Sequence, residues 1–169
     1  MYKRQALREK RPFPDINTVF KTTGMAMLNS MGGASGVIFG SMFLGGIKGL
    51  SPLSVLDGDG FTCIMRGSLE AIKARGKANV GDKTMVDALE PAVIAMETSD
   101  RSDLTALLGT AAKAAEEGVE NTKNYIARFG RAKSLMERAI GYQDAGATSV
   151  SILITSMYRY LQELQKTEG

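Results

Sequence analysis

Apolar positions recur at helical spacing along most of this 169-residue chain. Ile16, Val19 and Phe20 predict a helix over about residues 14–28, which Pro14 and Asp15 would begin. Similar spacing predicts further helices over about residues 61–76, 85–96, 104–126 and 150–164. No segment alternates in the manner of a strand. We therefore expect an all-α fold, an antiparallel up-and-down helical bundle or barrel whose functional loops lie at one end.

The segment from Met31 to Ile47 differs from the rest because it carries no charge and contains six glycines. Its apolar residues point all round a helix axis, and its length approaches the lower limit for crossing a bilayer. The flanks carry no anchoring pattern, and the glycines suit close helix packing. We predict a buried central helix rather than a membrane span.

Composition bounds the class of protein. Hydrophobic residues make up 44% and charged residues 23% of the chain, as in a folded globular protein of one domain. The net charge of +3 is spread out, which argues against nucleic acid as a partner. Cys63, the one cysteine, lies in a helical apolar pattern and is predicted to be buried. No secretory leader is visible, and we expect a reducing, cytoplasmic compartment.

The chain contains no histidine, which restricts the chemistry open to it. An imidazole base, a phosphohistidine and an imidazole-bound zinc are excluded. Carboxylates, backbone donors, cations or a partner must therefore support any catalysis.

Glycines cluster where helices should begin or end, at residues 32–36, 81–84, 130–131 and 144–148. Backbone N–H groups at helix starts, together with the helix dipole, form anion sites, so phosphate is the natural ligand. Each loop taken alone is more often a cap or a turn. The combination favours a phosphate ligand.

Each charged residue in these loops has two interpretations, one as a ligand contact and one as a purely structural residue. Arg131 would reach a phosphate, or form a surface ion pair with an acid such as Glu137. Asp144 would orient a nucleotide hydroxyl or a water, or cap the last helix, and the spacing favours the cap. Lys83 and Asp82 would form a cation and acid pair at a phosphate, or lie in a solvated first helical turn.

The Asp57-Gly58-Asp59-Gly60 run would suit a hard cation such as magnesium or calcium. It does not continue as a calcium-binding loop, because no further acid follows until Glu70. A turn with a helix cap is the favoured interpretation.

Three segments resemble the dihydroxyacetone kinase L subunit in order and separation. They are KTTGMAMLNSMGGASGVIFG, ARGKANVGDKTMVDALEPA and ARFGRAKSLMERAIGYQDAGATS. The resemblance covers nearly everything from about Ala6 to the carboxyl terminus. It implies a helical barrel that binds an adenine nucleotide with magnesium at one rim and docks there on the subunit that holds dihydroxyacetone.

The family has two branches, and a free-standing chain resembles the first more. In that branch ADP stays bound as a cofactor, which a phosphoryl-donor subunit of the sugar phosphotransferase system phosphorylates. In the other branch the domain is fused to the substrate domain and uses ATP. Carried over by motif, the resemblance implies that Ala34 and Ser35 contact the phosphates of the nucleotide. It implies that Gly76 and Met85 line the adenine side of the site. It implies that Arg131 closes the site together with Asp144, Ala145 and Gly146.

Departures from the family pattern shape the expectations. In the family, an aspartate-rich segment that supplies the magnesium ligands precedes the equivalent of Ala6. We therefore expect those ligands to be absent here. We expect residues 1–169 to form one domain that lacks this segment. Asp57 and Asp59 receive no metal role, and no catalytic residue is assigned. Tyr142 stands where the family usually has histidine, and Ala145 where it has proline.

We expect weak nucleotide binding and little transfer by this chain alone. The alternatives are a degenerate, non-catalytic partner protein and the nucleotide domain of a fused ATP-dependent kinase.

Overall fold

The computed structural model describes the backbone of residues 2–168 and the side chains of residues 5–130 and 132–167. Helices occupy most of these residues and no strand occurs among them, which confirms the all-α fold class. The helices are α1 (Tyr2–Glu9), α2 (Ile16–Ser30), α3 (Gly33–Gly46), α4 (Gly58–Gly76), α5 (Val86–Thr98), α6 (Leu104–Asn121) and α7 (Ala145–Glu168). Two short 3-10 segments, Thr122–Asn124 and Arg131–Ala139, lie between α6 and α7.

Contacts divide the chain into two compact units, residues 1–77 and 78–169. The first unit contains α1 to α4 and the second α5 to α7. The interpretation of residues 1–169 as one domain stays a prediction.

Glycines set the packing of α2, α3 and α4 in the first unit. A Cβ at Gly24 of α2 would lie 3.1 Å from the Gly40 carbonyl oxygen of α3. A Cβ at Gly67 of α4 would lie 3.0 Å from the Gly45 carbonyl oxygen. The backbones of neighbouring helices therefore pass each other closely, as the glycine-rich sequence predicted.

The uncharged segment forms α3, which packs against both α2 and α4 as a central helix should, but the predicted burial is only partial. Only Gly36, Gly40, Met42 and Gly46 of α3 are buried, while Val37, Ile38 and Phe39 are partly exposed. The close-packed positions of α3 are mostly glycines, so the larger apolar side chains lie outside the tightest contacts. Among the residues that the structure describes, no helix has the length and hydropathy needed to cross a membrane.

Cys63 is exposed, and the prediction that it is buried is wrong. The buried face of α4 contains Phe61, Ile64 and Leu69, with Ser68 donating to the Met42 carbonyl at 2.8 Å. Cys63 lies outside this face, because successive residues of an α-helix are rotated by about 100°.

In the second unit α6 packs against both α5 and α7. Buried apolar side chains come from all three helices, among them Leu89, Val93, Leu107, Ala111 and Ile154. The helix predicted to continue to Ile126 ends at Asn121. The chain then turns through Thr122, a fully buried residue whose hydroxyl donates to the Val119 carbonyl at 2.6 Å.

Helices α5 and α6 approach most closely at Gly118. Pro91, inside α5, has no N–H to donate to the carbonyl of Asp87 four residues earlier. A Cβ at Gly118 would overlap that carbonyl oxygen and lie 3.0 Å from the Ala88 Cα. The absence of a side chain at Gly118 therefore allows the two helices to pack at this depth.

Candidate functional site

Lys83 lies at the centre of a polar cluster in the second unit. Its side chain is only 3% exposed, and its backbone has a φ of 58°. The ammonium donates to the Thr122 carbonyl at 2.5 Å and to the Tyr142 carbonyl at 2.6 Å. The interpretation of Lys83 as part of a solvated helical turn is therefore wrong.

Asp82 points to other partners and does not pair with Lys83 at a common ligand. Its carboxylate accepts from the Asn79 N–H at 2.8 Å and lies 3.3 Å from an Arg128 guanidinium nitrogen. The Arg128 N–H also donates to the Asp82 carbonyl at 3.2 Å. Asp82 thus holds residues 79–82 to the segment that follows α6, and the proposed cation and acid pair is not formed.

Asp87 organises the start of α5. One carboxylate oxygen accepts from the Gly81 N–H and the other from the Thr84 N–H, each at 2.6 Å. Burial raises the pKa of Asp87, an effect that these hydrogen bonds oppose and the nearby charge of Asp82 reinforces. Burial lowers the pKa of Lys83, and the charges of Asp144 and Asp87 oppose that shift.

Asp144 caps α7, as its spacing predicted. Its carboxylate accepts from the Ala147 N–H at 2.8 Å, and its own N–H donates to the Thr122 hydroxyl at 2.9 Å. Burial raises the pKa of Asp144, while the hydrogen bonds from Ala147 and Gly146 and the charge of Lys83 lower it. Whether Asp144 also contacts a nucleotide stays a prediction.

The beginning of α7 lies directly against the beginning of α5. A Cβ at Gly146 would lie 3.3 Å from both the backbone nitrogen and the Cβ of Met85. The structure therefore brings together Met85 and the Asp144-Ala145-Gly146 segment, which the sequence had assigned to one site. Two helix N-termini side by side are suited to an anionic ligand.

Arg131 begins a 3-10 segment after Gly130, whose φ is 65°. The Arg131 side chain lies outside the described residues, so its reach to a phosphate stays a prediction. Met136, further along the segment, has a φ of 51° and a ψ of −128°. Left-handed backbone of this kind favours glycine over a residue with a side chain.

Ala34, Ser35 and Gly76 belong to the first unit. Ala34 and Ser35 are exposed in the first turn of α3, and Gly76 is the last residue of α4. A Cβ at Gly76 would meet only the Ile38 side chain, at 3.9 Å, one helical turn beyond Ala34. These residues thus lie on neighbouring helices with open space around Gly76, and their ligand contacts stay predictions.

The aspartates of these loops hold backbone segments in place. No group of three or more candidate metal ligands occurs among the residues that the structure describes. Asp57 caps α4 by accepting from the Gly60 N–H at 2.8 Å, which confirms the favoured interpretation of that run. In the second unit Asp82, Asp87 and Asp144 all accept backbone N–H groups.

Sequence reasoning missed Thr122 and Asp87. Thr122 belongs to no motif, and its role depends on partners 22 and 39 residues away along the chain. The role of Asp87, in contrast, could have been predicted from a spacing in the sequence. Thr84 and Asp87 have the spacing of a capping box, in which the acid three residues on accepts from the N–H of the cap residue.

Comparisons with known proteins agree with the resemblance seen in the sequence. The family model described as the DAK2 domain matches residues 3–159. The chain is 38% identical over 154 residues to a Listeria innocua protein, the ADP-binding subunit DhaL of PEP-dependent dihydroxyacetone kinase 1, covering 91% of this chain and 72% of that protein. It is also 38% identical over 142 residues to the ADP-binding subunit DhaL of Escherichia coli, covering 83% and 68% respectively.

Longer relatives match as well. The human triokinase/FMN cyclase is 30% identical over 158 residues, which are 92% of this chain and 27% of that protein. The crystal structure of the dihydroxyacetone kinase of C. freundii superposes with a TM-score of 0.67 at 23% identity, over 91% of this chain and 26% of that one. This likeness supports the fold. Because the family model and the bacterial relatives span most of the sequence, the chain belongs to the DAK2 domain family.

Proposed function

We propose that this chain is the ADP-binding subunit of a dihydroxyacetone kinase, and that it relays a phosphoryl group through bound ADP to dihydroxyacetone or a similar small hydroxyketone on a partner subunit. The observation that carries the proposal is the contact between Met85 and the Asp144-Ala145-Gly146 segment. These residues were assigned to one nucleotide site from separate motifs. The names of the bacterial relatives agree with this proposal.

The residues of this chain would act by positioning the bound ADP. The beginnings of α5 and α7 would present the positive ends of two helix dipoles to an anionic group. Phosphoryl transfer depends mainly on orientation and charge neutralisation, so a chain without histidine can take part in it. When bound, ADP would supply the group that accepts and donates the phosphoryl.

Partners and compartment belong to the same proposal. We propose a dihydroxyacetone-binding subunit and a phosphoryl donor of the phosphotransferase system, since a similar Lactococcus lactis protein is named a PTS-dependent subunit. We place the chain in the cytoplasm. We assign no magnesium ligand to this chain.

The first experiment is an NMR titration with ADP, with and without Mg²⁺, on this chain and on a version extended by its natural upstream sequence. NMR detects the weak binding that we expect. The amides of Met85, Ala145 and Gly146 should shift in a saturable way, whereas those in the middle of α6 should not. Saturation by neither protein would contradict the proposed function.

A matched pair of variants tests the location of the site. Gly146→Ala would place a methyl group 3.0 Å from an Asp144 carboxylate oxygen and 3.3 Å from Met85. Gly109→Ala would place one 3.1 Å from the Tyr158 ring, between α6 and α7. We expect Gly146→Ala to weaken ADP binding about tenfold or more, and Gly109→Ala to leave it unchanged. Equal effects in both variants would place the site elsewhere.

A further inference from the structure

Lys83 makes two hydrogen bonds that fasten separate parts of the second unit together. Its Nζ donates to the carbonyl of Thr122, just after α6, and to the carbonyl of Tyr142, three residues before α7. Nineteen residues lie between these two carbonyls. One buried ammonium therefore closes a long loop at both of its ends.

Other hydrogen bonds converge on the same segment. The Gly141 N–H donates to the Lys123 carbonyl at 2.7 Å, and the Gln143 side chain donates to Glu120 at 2.6 Å. The Asp144 N–H donates to the Thr122 hydroxyl. These bonds hold residues 141–144 to the end of α6. Lys83 connects the same segment to the start of α5, because it lies two residues before Met85.

The charge at Lys83 has a further effect. The carboxylates of Asp87 and Asp144 both interact electrostatically with it, and both belong to helix starts that would face an anionic ligand. Without the ammonium, two partly buried negative charges would lie beside that ligand. A neutral side chain of similar length would lose this compensation along with the two hydrogen bonds.

We propose that Lys83 is a positioning residue of the nucleotide site, because its ammonium clamps the Thr122 and Tyr142 carbonyls and so holds the Asp144-Ala145-Gly146 segment against Met85. It would touch neither the nucleotide nor the reacting atoms. The nucleotide part of this inference rests on the proposed function, whereas the clamp itself can be tested without any ligand.

Amide hydrogen exchange of the ligand-free chain tests the clamp. Lys83→Met removes the ammonium and keeps an unbranched side chain. Lys77→Met is a matched control, because Lys77 is exposed and has the same φ of 58°. We expect the amides of Gly141, Asp144 and Ala147 to exchange at least about tenfold faster in Lys83→Met only. Unchanged exchange there, or an equal increase throughout α6, would overturn the clamp.

ADP titration of the same variant tests the positioning role. We expect Lys83→Met to bind ADP about tenfold more weakly, or worse, than the wild type. Lys113→Met, an exposed change on α6, should bind ADP normally. Faster exchange at residues 141–147 with unchanged ADP affinity would overturn the positioning role. Failure of both the wild type and its extended version to bind ADP would instead refute the proposed function, and the exchange result would still decide the clamp.

Chemical rescue separates the ammonium from general stability. Lys83→Cys, made with Cys63→Ser, is aminoethylated in denaturant and refolded, which restores an ammonium at lysine length. Rescue should slow the exchange at Gly141 and Asp144 and recover ADP binding, and failure to do so in a folded protein would contradict the proposal. If Lys83→Met does not fold, Lys83→Gln replaces it. Gln retains one donor group, and we expect intermediate exchange rates.

Discussion

Three aspartates of the second unit accept hydrogen bonds from backbone N–H groups. Asp82, Asp87 and Asp144 accept N–H groups from the loop before α5 and from the first turn of α7. Their carboxylates therefore fix the loops that would receive a ligand. The rise in the pKa of Asp87 and of Asp144 is a consequence of burying them there.

The stability of the protein should depend on pH through Asp87. Its pKa in the folded protein is raised above the ordinary value of 3.8, so the folded state holds the proton more tightly than the unfolded state does. The stabilisation from this proton is fully present below pH 3.8 and is lost as pH rises through the folded pKa. The free energy of unfolding of the wild type should therefore increase relative to that of Asp87→Asn as pH falls.

Urea unfolding at a series of pH values measures this difference. Asp103→Asn is the control, because Asp103 also accepts two backbone N–H groups but lies at an exposed helix start. A constant difference between the wild type and Asp87→Asn from neutral pH to 3.8 would show that burial does not raise this pKa.

Cys63 should react without denaturant, since its side chain is exposed on α4. We expect a thiol reagent such as Ellman's reagent to modify one equivalent in the native protein at nearly the rate seen in denaturant. The reaction is followed by absorbance, with Cys63→Ser as the blank. Protection of the thiol in the folded protein would show that its sulfur is buried after all.

At the scale of the helices, the sequence predicted what depends on neighbours in the chain. Periodic apolar positions located α2, α4, α5 and much of α6, and Asp15, Asp57 and Asp144 cap helices as their positions suggested. The burial of Lys83 could not be predicted, because its partners are 39 and 59 residues away. The glycine face of α3 was misjudged because apolar residues all round an axis do not reveal which side packs.

The contact between α5 and α6 should be intolerant of added volume. In Gly118→Ala the new methyl group would overlap the Asp87 carbonyl oxygen, which is backbone and cannot rotate away. We expect the free energy of unfolding to fall by about 2 kcal/mol, as for overpacked cores. Chemical unfolding measures the change.

Gly109→Ala in the same helix is the control for this variant. Its methyl group would meet a Tyr158 ring that can shift, and alanine favours helix by about 1 kcal/mol over glycine. We therefore expect no loss of stability. Unchanged stability in Gly118→Ala would show that α5 and α6 do not pack as described.

At the scale of the whole molecule, ligand binding should raise thermal stability. A ligand that binds only the folded state at ten times its Kd stabilises a protein by about 1.4 kcal/mol, which is roughly 3–6 °C in Tm for a chain of this size. We expect this shift with ADP in a thermal melt and a much smaller one with adenosine, which lacks the phosphates. Equal shifts would show that the phosphates are not recognised.

The loop that Lys83 closes has a consequence for how this protein can diversify. Its two ends are held at Thr122 and Tyr142 by one side chain that lies outside the loop. Lengthening a closed loop is inexpensive in entropy, about 0.6 kcal/mol for each doubling of its length. Insertions within residues 123–141 should therefore cost little stability, provided that they leave the Arg128 contact with Asp82 and the Lys83 anchor in place.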